Sequence, residues 1–131
     1  MTYPFDTDPI SRLIYVDINV EEHNFRMMLD TGASNTTFDI NALLFVGYPV
    51  GNVVGVNTVE TAIGMMEVDV IETKSISAFG DTVRGMKVQM YDFYKHGILS
   101  DYDGLLGLDF FENTKFCIDM KNQTIEVDRL L

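Results

Sequence analysis

The sequence predicts a mainly-β fold with one or two short helices, and three observations predict it. Apolar and polar residues alternate with a period of two from Leu13 to Val20, the repeat of a strand that buries one face. Short apolar runs then recur along the chain, separated by Gly, Asn, Asp and Thr, which tolerate tight turns. Only residues 39–47 and 108–113 depart from this pattern toward a helix. A chain of 131 residues, 47% hydrophobic, suffices for one core, so residues 1–131 are expected to form a single domain. No block of like charge and no Pro/Ser-rich tract reads as a linker, although residues 1–10 are expected to be loose.

Taken in order, Ile14, Val16, Ile18 and Val20 share one strand face, with Tyr15, Asp17 and Asn19 on the other. Glu21-Glu22-His23-Asn24 reads as a polar turn, with His23 a solvated residue, and Phe25 to Leu29 runs back as the second arm of a hairpin. Asp39 to Gly47 reads as a short helix with Asp39 as N-cap and Gly47 as the stop before Pro49. Residues 50–71 give two extended segments broken by turn residues, with the tip placed at Gly55-Val56-Asn57-Thr58 or as far on as Glu60. The strand pattern continues through Met65, Val68, Val70, Ile76 and Phe79 to a Gly80-Asp81 turn and resumes at Val83, Met86, Val88 and Met90. Most of the eight methionines fall at strand periodicity, so they are expected to fill the core. Tyr91 to Gly97 is aromatic and irregular, suited to a cleft wall, a dimer contact or a loop packed by its own rings. Leu108 to Asn113 reads as a short helix, Phe116 to Asp119 and Thr124 to Val127 as the last two strands, and Cys117 as a buried, inert thiol.

One stretch stands apart. Asp30-Thr31-Gly32-Ala33-Ser34 follows the apolar arm that ends in Leu29, so a carboxylate is delivered from a strand into a turn of small and hydroxyl residues. Partial burial there disfavours the charged form and makes hydrogen-bond donors necessary; Thr31 and Ser34 carry hydroxyls, and Gly32 allows close backbone approach. The same residues also suit a plain Asx-type turn in which Asp30 caps its own backbone.

The stretch resembles the active-site loop of the retropepsin-like aspartic proteases, in which Asp-Thr-Gly-Ala-Ser is a frequent form. The second element of that family, two large apolar residues and a glycine, is present as Leu105-Leu106-Gly107 within Asp103 to Phe110. The resemblance is closer to cellular and bacterial members than to viral ones, because Leu108 and Ser34 stand where an Arg and an acid often pair. It implies the acid-protease fold, a closed β-barrel carrying half a site per chain, with Asp30 catalytic and Thr31, Gly32, Ala33 and Ser34 forming its loop. Leu105, Leu106 and Gly107 would support that loop. Residues Gly55, Val56, Asn57 and Thr58 would form a flap over the substrate. Only one Asp-Thr-Gly exists in the chain, so the resemblance further implies a homodimer that hydrolyses polypeptides with a water activated between two Asp30 side chains, and no cofactor. The rival reading is a catalytically silent peptide-binding or dimerisation module on the same fold.

Composition restricts the partners. A net charge of −11 disfavours nucleic acid and anionic membrane surfaces, both of which would repel the chain. No apolar run approaches the length of a membrane span, and a single cysteine permits no internal disulfide, which suits a reducing, cytoplasmic setting. Asp101 and Asp103 flank Tyr102 but lack the spacing of a calcium loop, so no metal is expected and both are read as solvated loop acids.

Overall fold

A computed structural model describes residues 1–61, 64–98 and 100–129. Its strands, in chain order, are β1 (Thr2–Pro4), β2 (Asp6–Thr7), β3 (Ile14–Val20), β4 (His23–Leu29), β5 (Thr37–Asp39), β6 (Val53–Thr61), β7 (Gly64–Glu72), β8 (Ser75–Ala78), β9 (Asp81–Arg84), β10 (Lys87–Tyr91), β11 (Gly104–Leu106), β12 (Thr114–Asp119) and β13 (Thr124–Arg129). One α-helix, α1 (Ile40–Phe45), and a 3₁₀ turn over Leu108–Phe111 complete the described elements, so the mainly-β expectation holds.

The first hairpin forms as its alternation dictates. Val16, Ile18 and Val20 on β3 and Phe25, Met27 and Leu29 on β4 are buried on one face, while Asp17 is exposed on the other. The turn is tighter than the sequence suggests, because His23 and Asn24 already belong to β4 and only Glu21 and Glu22 lie between the arms, at φ 49° and 77°. Two successive left-handed residues make the mirror-image turn whose twist matches the strands it joins. The Glu21 carboxylate accepts from the Tyr48 hydroxyl and from the Lys74 amide, which ties this otherwise unfavourable turn to the core.

The main sheet has ten strands in the order β6-β7-β10-β5-β11-β4-β3-β8-β9, with β2 pairing on β3. Among the described residues this path ends at β6 on one side and β9 on the other, so the pairing leaves the sheet open where a closed barrel was expected. A smaller sheet has the order β1-β13-β12. An aromatic run joins the two: Phe79, in the turn between β8 and β9 of the main sheet, stacks with Phe111 at 5.9 Å between ring centres, and Phe111 stacks with Phe116 of β12 at 4.2 Å. Arg129 of β13 forms an ion pair with Asp81 of β9 and donates to the Phe110 carbonyl, a second link between the sheets.

Several expectations change. The N-terminal residues are not loose: Tyr3 lies opposite Ile125, and Asp6 and Thr7 lie opposite Tyr15 and Ile14. Cys117 is exposed, because strand alternation turns Phe116 and Ile118 toward the core and leaves the thiol on the outer face. Asp39 does cap α1, its carboxylate accepting from the Asn41 amide, and Gly47 follows with φ 75°, as the sequence predicts. The Tyr91 to Gly97 segment is packed by its own rings: His96 stacks on Tyr91 at 4.4 Å and its Nδ1 lies 2.8 Å from the Asp92 carbonyl.

Candidate active site

Asp30 is placed by two neighbouring strands. Its own strand, β4, runs parallel to β11 in the register Met27↔Gly104, Met28↔Leu105, Leu29↔Leu106, and the Asp30 amide continues that ladder by donating to the Leu106 carbonyl at 3.0 Å. The chain then turns sharply. Ala33 N–H donates to the Asp30 carbonyl at 3.1 Å, and Gly32 N–H donates to Asp30 Oδ1 at 2.9 Å. The Asx-type turn is therefore present, and it orients the carboxylate: one oxygen is held by a backbone amide. Among the described residues the donor to that carboxylate is the Gly32 amide, not the Thr31 or Ser34 hydroxyl. Gly32 suits this contact, since a Cβ there would press to 3.3 Å of Asp30 Oδ1.

The second predicted loop meets the first. Leu108 N–H donates to the Ala33 carbonyl at 2.9 Å, and a Cβ on Gly107 would sit 2.8 Å from both the Ala33 oxygen and the Asn35 carbonyl carbon. Only glycine lets these backbones approach so closely. Gly104 is packed as tightly, with the Thr37 carbonyl and Phe38 Cα in the space of its missing side chain. Leu106 is fully buried, and Leu105 faces the cleft.

The bracing of the loop comes from two residues that sequence reading passed over. Thr36, fully buried, donates its hydroxyl to Asp109 Oδ1 at 2.7 Å and its amide to Asp109 Oδ2 at 2.9 Å, and the same hydroxyl accepts from Gly107 N–H at 3.1 Å. Leu108 and Ser34 leave out one familiar pairing, and the Thr36–Asp109 pair supplies a different one. A local motif could not reveal it, because the partners lie 73 positions apart. Asp103 is likewise no solvated acid: it accepts from the Arg26 amide at 2.9 Å through Oδ2 and stands beside β4 and β5. Next to it, burial chiefly, then the nearby Tyr15 and Asp30, pushes the Tyr102 phenol upward.

A cleft of about 770 Å³ opens over this loop. Gly32, Ala33, Ser34 and Leu105 line one side, and Asn57, Thr58, Val59 and Glu60 of β6 line another, with Gln89 and Tyr91 of β10 between them. The predicted tip is corrected here. Gly55 to Thr58 are not an apex but part of a regular ladder that pairs Gly55 with Val70 and runs on to Thr61 opposite Gly64. The ladder is followed on β6 as far as Thr61, and residues 62 and 63 lie outside the described residues. The extended reading of Ile63 falls there as well. The β-branched run of β6 carries the arm beyond Gly55, and a glycine inside a strand marks a bulge, which the ladder shows between Val53 and Gly55. Asn57 and Thr58 reach the cleft, and Gly55 and Val56 precede it.

Among the described residues there is no group of three metal-ligating side chains, and no helix is long and apolar enough to cross a membrane.

A strand-borne acid held in a glycine turn is bonded to a second apolar-apolar-glycine loop, and its loop shares a cleft with β6. The aspartyl protease family profile matches residues 16–110, and the chain belongs to that family. Its fold is retropepsin-like. It resembles a retropepsin-like aspartic protease from Rickettsia conorii (TM-score 0.72, 21% identity, 98% of this chain and 91% of that one). It also resembles the EIAV protease in complex with an inhibitor (TM-score 0.61, 15% identity, 82% of this chain and 92% of that one). No curated protein sequence matches the chain.

Proposed function

We propose that the protein is an aspartic endopeptidase whose site is completed by a second copy of the chain. The observation that carries this reading is the Asp30 turn, with its carboxylate fixed by Gly32 N–H and its loop forming one side of a cleft spanned by β6. The first loop brings one carboxylate, and Leu105-Leu106-Gly107 brings none. Two Asp30 side chains meeting on a two-fold axis hold one proton between them, since two carboxylates at close range do not both ionise; the aspartic-protease dyad is the standard instance of this coupling. The ionised member takes a proton from a water, which attacks the peptide carbonyl, while the protonated member donates to the carbonyl oxygen. The β6–β7 hairpin acts as the flap, and the cleft takes an extended polypeptide.

Asp30→Asn tests this. It keeps shape and an acceptor for Gly32 N–H but removes the base. Cleavage of a degenerate peptide library, read by mass spectrometry, should vanish while the circular dichroism spectrum stays unchanged. Retention of a tenth of wild-type turnover, a barrier change of only about 1.4 kcal/mol, would remove Asp30 from the mechanism. Stoichiometric peptide binding by the wild type without product would instead favour a silent binding module.

A further inference from the structure

Three strands set three side chains next to one another on the floor of the cleft. Leu105 of β11 lies opposite Thr37 of β5, and Thr37 lies opposite Gln89 of β10. Paired positions share a sheet face, and neighbouring strands stand about 4.8 Å apart. The residues beside them in sequence, Phe38, Val88, Met90 and Leu106, belong to the core, so Leu105, Thr37 and Gln89 take the opposite face and line the cleft. Gln89 is the unusual member. It is 5% exposed on a strand paired on both sides, and a buried carboxamide is costly unless it is hydrogen-bonded. Its Oε1 accepts from the Thr37 hydroxyl at 3.0 Å. Among the described residues its Nε2 donates to no protein group, so a nearly buried amide on the cleft wall keeps its donors for a ligand.

The rest of the lining narrows the ligand. Among the described residues Glu60 is the one lining residue with a full charge, and it is exposed on β6. A carboxylate side chain is repelled by it and by the nearby Asp30. An ammonium or guanidinium carried down to Gln89 gives up hydration where the floor holds no counter-charge. A purely aliphatic side chain leaves the Gln89 amide unpaired. A carboxamide on a short stem avoids all three costs, because Val68, itself 5% exposed, and Leu105 give the cleft apolar walls for the stem. Turning the Gln89 amide over exchanges which end meets the cleft, and a second carboxamide, carrying both donor and acceptor, pairs with either.

Resting on the endopeptidase reading above, we infer that this floor selects a substrate residue with an uncharged carboxamide, asparagine or glutamine, and that Gln89 determines the selection. Leu105 and Val68 flank the methylene stem, and the Gln89 amide, held by Thr37, exchanges hydrogen bonds with the substrate carboxamide. A site built to bond a polar group rejects the apolar isostere more strongly than an apolar pocket discriminates by size, since the protein partner is left unpaired. Ala33 and Ser34 of the Asp30 loop line the same cleft, which puts the selected residue close to the scissile bond. A second copy of the chain brings the same floor to the other side of the cut.

Cleavage-site profiling tests the selection. Wild-type protein acting on a degenerate peptide library should enrich asparagine and glutamine at a position close to the cut. Matched peptides that differ only there should give a kcat/KM about tenfold higher for asparagine than for leucine, its near-isostere, through the loss of one bond to a buried group, with aspartate also below asparagine. Gln89→Met keeps the side-chain length and removes the amide, so the order of asparagine and leucine should reverse. Circular dichroism checks that this variant folds, and the wild-type profile does not depend on it. Aliphatic residues preferred at every position near the cut, or a folded Gln89→Met protein that keeps the asparagine preference, overturns the selection and leaves the endopeptidase reading standing. Binding of the same peptides to Asp30→Asn, followed by fluorescence anisotropy, separates the two readings. Asparagine preferred in binding, with no cleavage by wild type, upholds the selection and refutes the protease; neither binding nor cleavage refutes both.

Discussion

At the scale of single residues, the site depends on a hydroxyl as much as on a carboxylate. Thr36 is the junction at which Asp109, Gly107 and the end of the Asp30 loop meet. Thr36→Val keeps the volume but leaves the buried Gly107 N–H and Asp109 Oδ1 without their partner. Unpaired buried groups cost about 1 to 3 kcal/mol, so the urea midpoint should drop accordingly, and Thr36→Ser should recover most of it. Tyr48 supplies a separate test. Burial first, then its bond to Glu21, pushes its phenol far above the usual tyrosine range. The folded state therefore holds this proton more tightly than the unfolded state does. The stability it contributes is complete below a pH of about 10 and is lost as pH rises from there through the raised folded value. Wild type should lose stability in that alkaline window more steeply than Tyr48→Phe, as followed by denaturant midpoints and tyrosinate absorbance.

At the scale of elements, the two loops are held together by backbone approach. Gly107→Ala would place a methyl against the Ala33 oxygen and the Asn35 backbone at 2.8 Å, and neither is the end of a flexible side chain. Overpacking of this kind costs about 1 to 3 kcal/mol. We expect a lower thermal midpoint and, because the Asp30 turn shifts with it, a larger loss in kcat than in KM. An equal effect on Gly51→Ala, where the space is open, would show that close approach is not the cause.

At the scale of the molecule, charge opposes assembly. Two chains of −11 repel one another at long range, and salt screens that repulsion over about 10 Å at 0.1 M. Specific activity should fall on dilution and recover with added salt in step with the dimer fraction. The rate should also follow a bell in pH, with both limbs belonging to the carboxylate pair. Salt at neutral pH restores dimer but not the shared proton, so it should rescue activity only partly above the alkaline limb. Cleavage that stays constant where sedimentation finds monomer would disprove the shared site.

Local periodicity made the β3–β4 hairpin, the α1 caps and the Asp-Thr-Gly loop legible, because each is a short-range pattern of apolar spacing or turn chemistry. The loop and Leu105-Leu106-Gly107 were readable as two motifs, but nothing in their sequence states that they touch. Contact came from the parallel pairing of β4 with β11, a long-range register no local pattern encodes. The same holds for the Thr36–Asp109 brace and for Asp103, whose polar partners are remote in sequence. It holds too for the hairpin tip, where Gly55 reads as a turn yet sits at a bulge in a longer strand, because pairing with β7 outweighs the local preference of one glycine. Residues 1–10 read as loose on composition, and pairing with β13 and β3 orders Thr2–Pro4 and Asp6–Thr7. Sequence alone determined the chemistry available to the site, one acid in a glycine turn; tertiary pairing decided which backbones hold that acid, because the register between strands remote in sequence is set by long-range packing.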